Sequence, residues 1–299
     1  MAAPIPPLPL DPEVPAPRLG RGRLYRRRFV RNRGALLGVL IFVALVLFAA
    51  FGHLLTSWNW ADPDLTALTQ PPTPAHPFGT GQGGNDLLAE CVHGLQRSLV
   101  IALSVSALTT VIAAVVGAGT AYLGGRTERV SLAVIHFLLV VPSFLILALI
   151  SNRVAGDWRV LILVLTLFGW VFNARIVWSV STSLRERDYV LMAEFMDVSR
   201  WRIVLRHIVP HLSSLLIINL TLGVDSTVLN ETALSFLGFG VKTPDVSLGS
   251  LLADGASTIS SAPWLFAYPA GLLVVLTVSV MLIGDGLRDA LDPTSRAGG

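Results

Sequence analysis

Asn219, Gly223, Ser226 and Asn230 recur at i, i+4, i+7 and i+11 inside an otherwise apolar stretch of this 299-residue chain. On a helix that spacing is one stripe, and Asp225 and Glu231 lie beside it. In a membrane such groups must face protein or water, because a charge at the bilayer centre costs about 2.5–3.5 kcal/mol on insertion scales. Two readings of Asn219 and Asp225 stay open: the wall of a hydrated pathway, or a polar contact between helices. Ser226 and Asn230 join them as pathway candidates. Glu231, near the outer end of the stretch, reads as a structural hydrogen bond or loop cap.

Covalent chemistry has little to work with. "GTGQGGND" (79–86) is Gly-rich but lacks the G-K-[ST] of a phosphate loop. No G-x-S-x-G nucleophile motif is present. Cys91 is the lone cysteine, and no Cys/His spacing for a metal appears. His136 lies in the third predicted span, and a packed, hydrogen-bonded role is expected for it. No catalytic, cofactor-binding or metal-binding residue is assigned.

The elements that hold the stripe follow from composition. Charged residues are 14% of the chain against about 25% in soluble domains, which points to a bilayer protein. Six apolar windows have the length of a span: 34–55, 98–123, 131–151, 159–180, 212–233 and 264–284. Residues 1–33 form a Pro-rich, disordered tail followed by an Arg-rich segment. The apolar run after them is too long for a signal peptide, so it reads as an uncleaved first span. With the N-terminus inside, seventeen basic residues fall on inside segments and four outside, so both termini are expected in the cytoplasm. This placement excludes nucleic-acid binding, since the basic residues track one membrane face. Residues 56–97 become an extracytoplasmic loop, 98–284 the five-helix core, and 285–299 a cytoplasmic tail. Ala113, Gly117 and Ala121 make a close-packing face in the second span, and Pro142 is expected to kink the third.

The largest inside loop, 185–210, is charged and bipartite. Asp188 can cap a short helix starting at Tyr189, and Ser199 a second one. Leu191, Phe195 and Val198 share a face, flanked by Met192 and Met196. In the second helix Trp201, Val204, Leu205 and Ile208 fall at i, i+3, i+4 and i+7, with Arg202 and Arg206 on another face. Such a pair either lies on anionic lipid or docks a soluble partner; Met and Phe suit the latter, and the residues alone leave both open.

This loop resembles the EAA loop of bacterial ABC-importer permeases. "YVLMAEFMD", "VSRWRIVLR" and "HIVPH" keep its frame at Tyr189, Trp201, Arg202, Arg206, His207, Ile208 and Pro210. Leu191 and Met192 replace the Glu and first Ala, Ala193 survives, and Asp197 replaces the Gly. The Gly permits a tight turn, and Asp197 tolerates the left-handed conformation better than most side chains. "HPFGTGQGGNDLLAECVHGLQRSL" (76–99), "ETALSFLGFGVKTPDVSLG" (231–249) and "GDGLRDALDP" (284–293) resemble three segments of the peptide/nickel subfamily. Gly81 and Asn85 depart from its Asp and Arg. The chain is most similar to the C-type permease subunit of the dipeptide/oligopeptide/nickel importers.

The resemblance implies an all-α membrane protein of the type I ABC importer permease fold, with six transmembrane helices and a cytoplasmic coupling loop. It implies a homologous B-type permease, two ATP-binding subunits that hold ATP and Mg, and an extracytoplasmic peptide-binding protein as partners. Tyr189, Met192, Ala193, Phe195, Met196, Asp197, Trp201 and Arg202 would then meet the ATPase. The expected cargo is a di- or oligopeptide. A nickel chelate on the same architecture is the alternative, and an ion-coupled secondary transporter the second one. The expected location is the bacterial inner membrane.

Overall fold

The computed structural model describes residues 21–153 and 156–291. The Pro-rich part of the expected tail and the last residues of the C-terminal one lie outside the described residues. Within them the chain is helices and loops, with one isolated bridge, Thr80 to Asp86.

Helix α1 (Arg21–Arg31) is basic and stops at Asn32. The Asn32 side chain accepts the Ala35 N–H at 3.1 Å and so starts α2 (Arg33–Phe51), which a 3-10 turn extends to Leu55. Helix α3 (Leu87–Leu123) begins well before the expected residue 98. Asp86 caps it, its Oδ2 accepting the Ala89 N–H at 3.0 Å. His93 and Arg97 end the apolar window in sequence. In the fold, Leu87, Leu88, Cys91, Val92 and Leu95 are buried and carry the helix on past the apolar run. At about 1.5 Å per residue its 37 residues span roughly 55 Å, far beyond the hydrocarbon core of about 30 Å.

The third and fourth spans are broken, where unbroken or merely kinked helices were expected. Helices α4 (Gly125–Val140) and α5 (Ser143–Arg153) meet at 77°. Pro142 at the junction lacks an N–H and disfavours helical backbone before it. Helices α6 (Trp158–Gly169) and α7 (Val171–Arg185) bend by 42° at Trp170. The inner loop follows as α8 (Asp188–Phe195), α9 (Arg200–Ile203), a π-helical turn (Val204–Ile208) and α10 (Val209–His211). Then come α11 (Ser213–Phe236), the short outer helix α12 (Leu248–Ser257) and α13 (Trp264–Leu291). Among the described residues four helices are each long and apolar enough to cross a membrane, and counting each bent pair as one span makes up to six.

Helix α3 is the axis of the bundle, packed by α6, α7, α11 and α12. Its small-residue face works as expected. A Cβ on Gly117 would sit 2.6 Å from the Ala174 carbonyl and 2.7 Å from Val177 Cβ, so only glycine lets α7 come this close. Ala113 and Ala121 are fully buried beside it. A second cluster, with Leu45, Leu99, Val224, Val228, Leu276 and Val280, joins α2, α3, α11 and α13. Leu37, Leu40, Leu47 and Val111 point outward, as lipid-facing helices require.

Candidate functional site

The inner loop is a small domain with two unlike sides. Its first helix starts one residue earlier than expected: Arg187 is the N-cap, and Asp188 sits in the first turn without a side-chain cap bond. There a carboxylate still helps, through the helix dipole. Ser199 does hold the N-cap position of α9, again without a side-chain cap bond. Asp197 has φ +57°. Its N–H donates to Glu194 O at 3.0 Å, and the Val198 N–H donates to Ala193 O at 3.2 Å. That pair of bonds is a Schellman stop with Asp in the position glycine usually fills. The substitution at 197 therefore preserves the turn.

The inward side contains Val190, Ala193, Ile203, Val204 and Ile208, buried in one cluster with Ala118 and Tyr122 of α3, Val177 of α7 and Leu212. Tyr189 stacks on the His211 ring with centroids 4.5 Å apart. The outward side is apolar: Phe195 is 86% exposed, Met196 76% and Met192 61%. Leu191, Trp201 and Leu205 are exposed too, and Arg202 and Arg206 lie in solvent. Two expected stripes are thereby corrected. Val198 packs against the inner cluster instead of joining Leu191 and Phe195. Val204 and Ile208 turn inward and Leu205 turns out, while Trp201 is half exposed with the tip of its ring against Gly119 of α3.

The polar stripe of α11 divides. Ser226 and Asn230 line a cleft of about 140 Å³ together with Thr109, Ser143 and Asn173. Gly223 closes one end of it against Ser106 on α3. Asn230 Nδ2 donates to Ser226 O at 2.8 Å and Ser226 Oγ to Gly223 O at 3.1 Å. Asn219 is buried outside the cleft, its Nδ2 without a hydrogen-bond partner among the described residues. Asp225 lies on another face, with Leu222 and Leu229 at helical spacing, and its buried Oδ1 is also unpartnered. Thr109, Ser143 and Asn173 escaped the reading of the sequence; Asn173, a carboxamide inside an apolar window, was the available signal. His136, expected to be packed, is exposed on α4.

The end of the bundle opposite the 185–210 loop, the outer one on the expected orientation, is held by polar bonds. His76, 3% exposed, places Nδ1 3.0 Å from Asp86 Oδ1 and stacks on Trp58. Asp86 Oδ2 also accepts the Thr56 hydroxyl at 3.1 Å. The Gly-rich stretch is thus a folded loop clamped to the start of α3, with Gly79 and Gly84 at φ +82° and +85°. Asp245, in the loop before α12, takes His93 Nε2 at 2.6 Å and Arg97 Nε at 2.8 Å. Arg97 in turn covers the Trp158 ring. Burial pushes the Asp245 carboxyl up, but the bonds from His93 and Arg97 and the Arg97 charge outweigh it and hold it below the ordinary range. Between these loops and α12 lies a cavity of about 390 Å³, with Trp60, Glu90 and Asp254 on its walls. Burial raises the Asp254 carboxyl. Glu231 is 1% exposed; its Oε1 accepts the Ser235 and Ser247 hydroxyls at 2.7 and 2.6 Å.

Residues 110–297 match the family described as binding-protein-dependent transport system inner membrane component. Residues 20–72 match the N-terminal transmembrane domain of oligopeptide transport permease C. The chain is 44% identical over 279 residues to the oligopeptide transport system permease protein OppC of Mycobacterium tuberculosis, covering 93% of this chain and 96% of that one. It is 34% identical to OppC of Escherichia coli K12 (91% and 90% covered) and 31% to that of Bacillus subtilis (90% and 88%). A component of a binding-protein-dependent system does not work as a self-contained ion-coupled carrier, so that alternative is set aside. The chain belongs to the binding-protein-dependent transport inner membrane components, as a multi-pass permease subunit of the C type.

Proposed function

We propose that this subunit forms half of the path of an ATP-driven importer of di- and oligopeptides. A homologous B-type permease supplies the other half, and two ATPase subunits, which bind ATP and Mg, dock on the 185–210 loop. The observation that carries the reading is the exposed ridge of Met192, Phe195 and Met196 on a helix whose other side is locked into α3, α7 and α11. An apolar ridge on a firmly seated short helix is what a groove in a soluble partner needs. Tyr189, Ala193 and Asp197 hold the ridge; Trp201 and Arg202 flank it.

Peptide cargo follows the named activity of the oligopeptide relatives. Ser226 and Asn230 offer amide and hydroxyl groups suited to a peptide backbone along the cleft. Leu222, Asp225 and Leu229 form a face of α11 for the B-type permease, since a carboxylate facing lipid would be costly. The excess of Arg on the α1 side and in the 185–210 loop puts both termini in the cytoplasm, and a peptide-binding protein meets the outer loops. The test is uptake of labelled peptide into proteoliposomes holding the assembled complex. ATP-dependent uptake that needs the binding protein supports the reading. Uptake driven by a proton gradient with no ATPase present would sink it.

A further inference from the structure

Helix α11 is one unbroken rod between two attachments. At its inner end Leu215 and Leu216 pack on the apolar cluster of the 185–210 loop. At its outer end Glu231 is fully buried, and the Ser235 hydroxyl from the next turn and the Ser247 hydroxyl from before α12 both donate to its Oε1. Ser247 is the N-cap of α12: its Oγ accepts the Ser250 N–H at 3.1 Å, and Ser250 Oγ accepts the Ser247 N–H at 2.9 Å. The neighbouring Leu248 N–H donates to Ser98 Oγ of α3 at 3.1 Å, while Glu231 Oε2 is buried with no hydrogen-bond partner among the described residues.

One carboxyl thus joins α11 to the start of α12, with α3 beside them. The seat has no slack. A Cβ on Gly249 would lie 2.8 Å from Thr232 Cα and 2.9 Å from Ser235 Cβ. Helix α12 and its lead-in in turn supply Val246, Leu251, Asp254, Gly255 and Ser257 to the wall of the outer cavity. Burying a carboxyl is expensive, and simple helix packing would be served as well by leucine. Short hydrogen bonds to a carboxyl fix direction and distance in a way that apolar contact does not.

We propose that Glu231 is a positioning residue for transport. It clasps α12 to α11, so that a displacement entering α11 from the inner loop moves the wall of the outer cavity. By reciprocity, a protein seated on the outer loops reaches the inner loop through the same rod. The inference rests on the reading that the 185–210 loop docks an ATPase.

The test uses the assembled transporter in proteoliposomes, with ATPase rate measured alone and with peptide-loaded binding protein. Glu231→Ala and Ser247→Ala should keep the basal rate within about twofold and cut the stimulation by the binding protein about tenfold. Glu231→Gln should retain most of the stimulation, because its carbonyl oxygen still accepts both hydroxyls. If Glu231→Ala does not assemble, Ser247→Ala, which removes one oxygen, carries the test. Unchanged stimulation in the alanine variants would overturn the clasp and leave the importer reading intact. Parallel loss of basal and stimulated rates, or a Gln variant no better than Ala, would overturn it too, leaving Glu231 merely structural. A wild-type complex with no stimulation at all would overturn both.

Discussion

The two ends of the bundle solve opposite problems. At the outer end, several charged groups are drawn inside and paired (His76 with Asp86, His93 and Arg97 with Asp245, Glu231 Oε1 with two serines), while Glu90 and Asp254 line a cavity. At the inner end, the 185–210 loop satisfies its backbone with a Schellman stop and leaves Phe195, Met196 and Met192 bare. A surface that pairs its charges within the chain is finished by folding. A surface that leaves apolar side chains bare is finished by what it docks on, a protein or a lipid face. On the function proposed above, the 185–210 loop is the end that grips the ATPase, and the loops at the other end keep their own shape while a binding protein meets them.

Four experiments can break or sharpen that contrast. The largest effect is expected from Phe195→Asp or Met196→Asp. Each should weaken docking of the ATPase subunits by about 2 kcal/mol or more, roughly 30-fold, with membrane insertion unchanged. Co-purification of the ATPase measures it, and unaltered assembly would remove the docking role of the ridge. Next, Gly117→Leu should force α7 from α3 and cost about 1–3 kcal/mol, read as a lower melting temperature of the purified subunit complex. Because α7 leads directly into the inner loop, that variant should harm docking more than the outer loops; equal damage at both ends would blur the contrast.

A smaller effect is expected at Asp245. Its carboxyl is held below its ordinary 3.8, so the pairing contributes stability above that value that is lost as pH falls through the folded value. Hydrogen-exchange protection of residues 238–247, taken relative to the intrinsic rate, should therefore fall at acid pH, and Asp245→Asn should show that loss already at neutral pH. At a partly exposed site the contribution is at most about 1 kcal/mol. Exchange that is insensitive to both changes would mean that packing alone holds the outer loop. The smallest effect is Asp197→Gly, which should stabilise the inner loop by about 0.5 kcal/mol by relieving the left-handed backbone. Asp197→Val should do the reverse; slower proteolysis of the loop in the Gly variant checks the sign.

Several features of the fold are legible in the sequence for a common reason. The six apolar windows and the small-residue face at Ala113, Gly117 and Ala121 depend on composition and helical period, which are local properties. The turn at Asp197 was legible through the resemblance, which has Gly at that position, and Asp tolerates a positive φ better than most side chains. The start of α3 was missed because His93 and Arg97 end its hydropathy. Asp245, which pairs with them, lies on a loop near the other end of the chain. The bend at Trp170 has no proline to announce it. Gly169 there lies against Thr109 of α3, and the close approach becomes visible only once α6 is in place.

The polar residues of α11 show where the two kinds of information part. The sequence by itself determined that Asn219, Ser226 and Asn230 share a stripe, that Asp225 and Glu231 lie off it, and that a loop of amphipathic helices sits among membrane spans. Helical period fixes directions about one helix axis. It does not say which neighbour covers each direction. Tertiary packing alone decided that Ser226 and Asn230 open on a cleft, that Asn219 is buried away from it, and that Glu231 meets serines from α12's cap and from α11 itself. The same packing turned Val204 and Ile208 inward and left Phe195 outside, because the free energy of burial depends on the surface that arrives opposite each side chain.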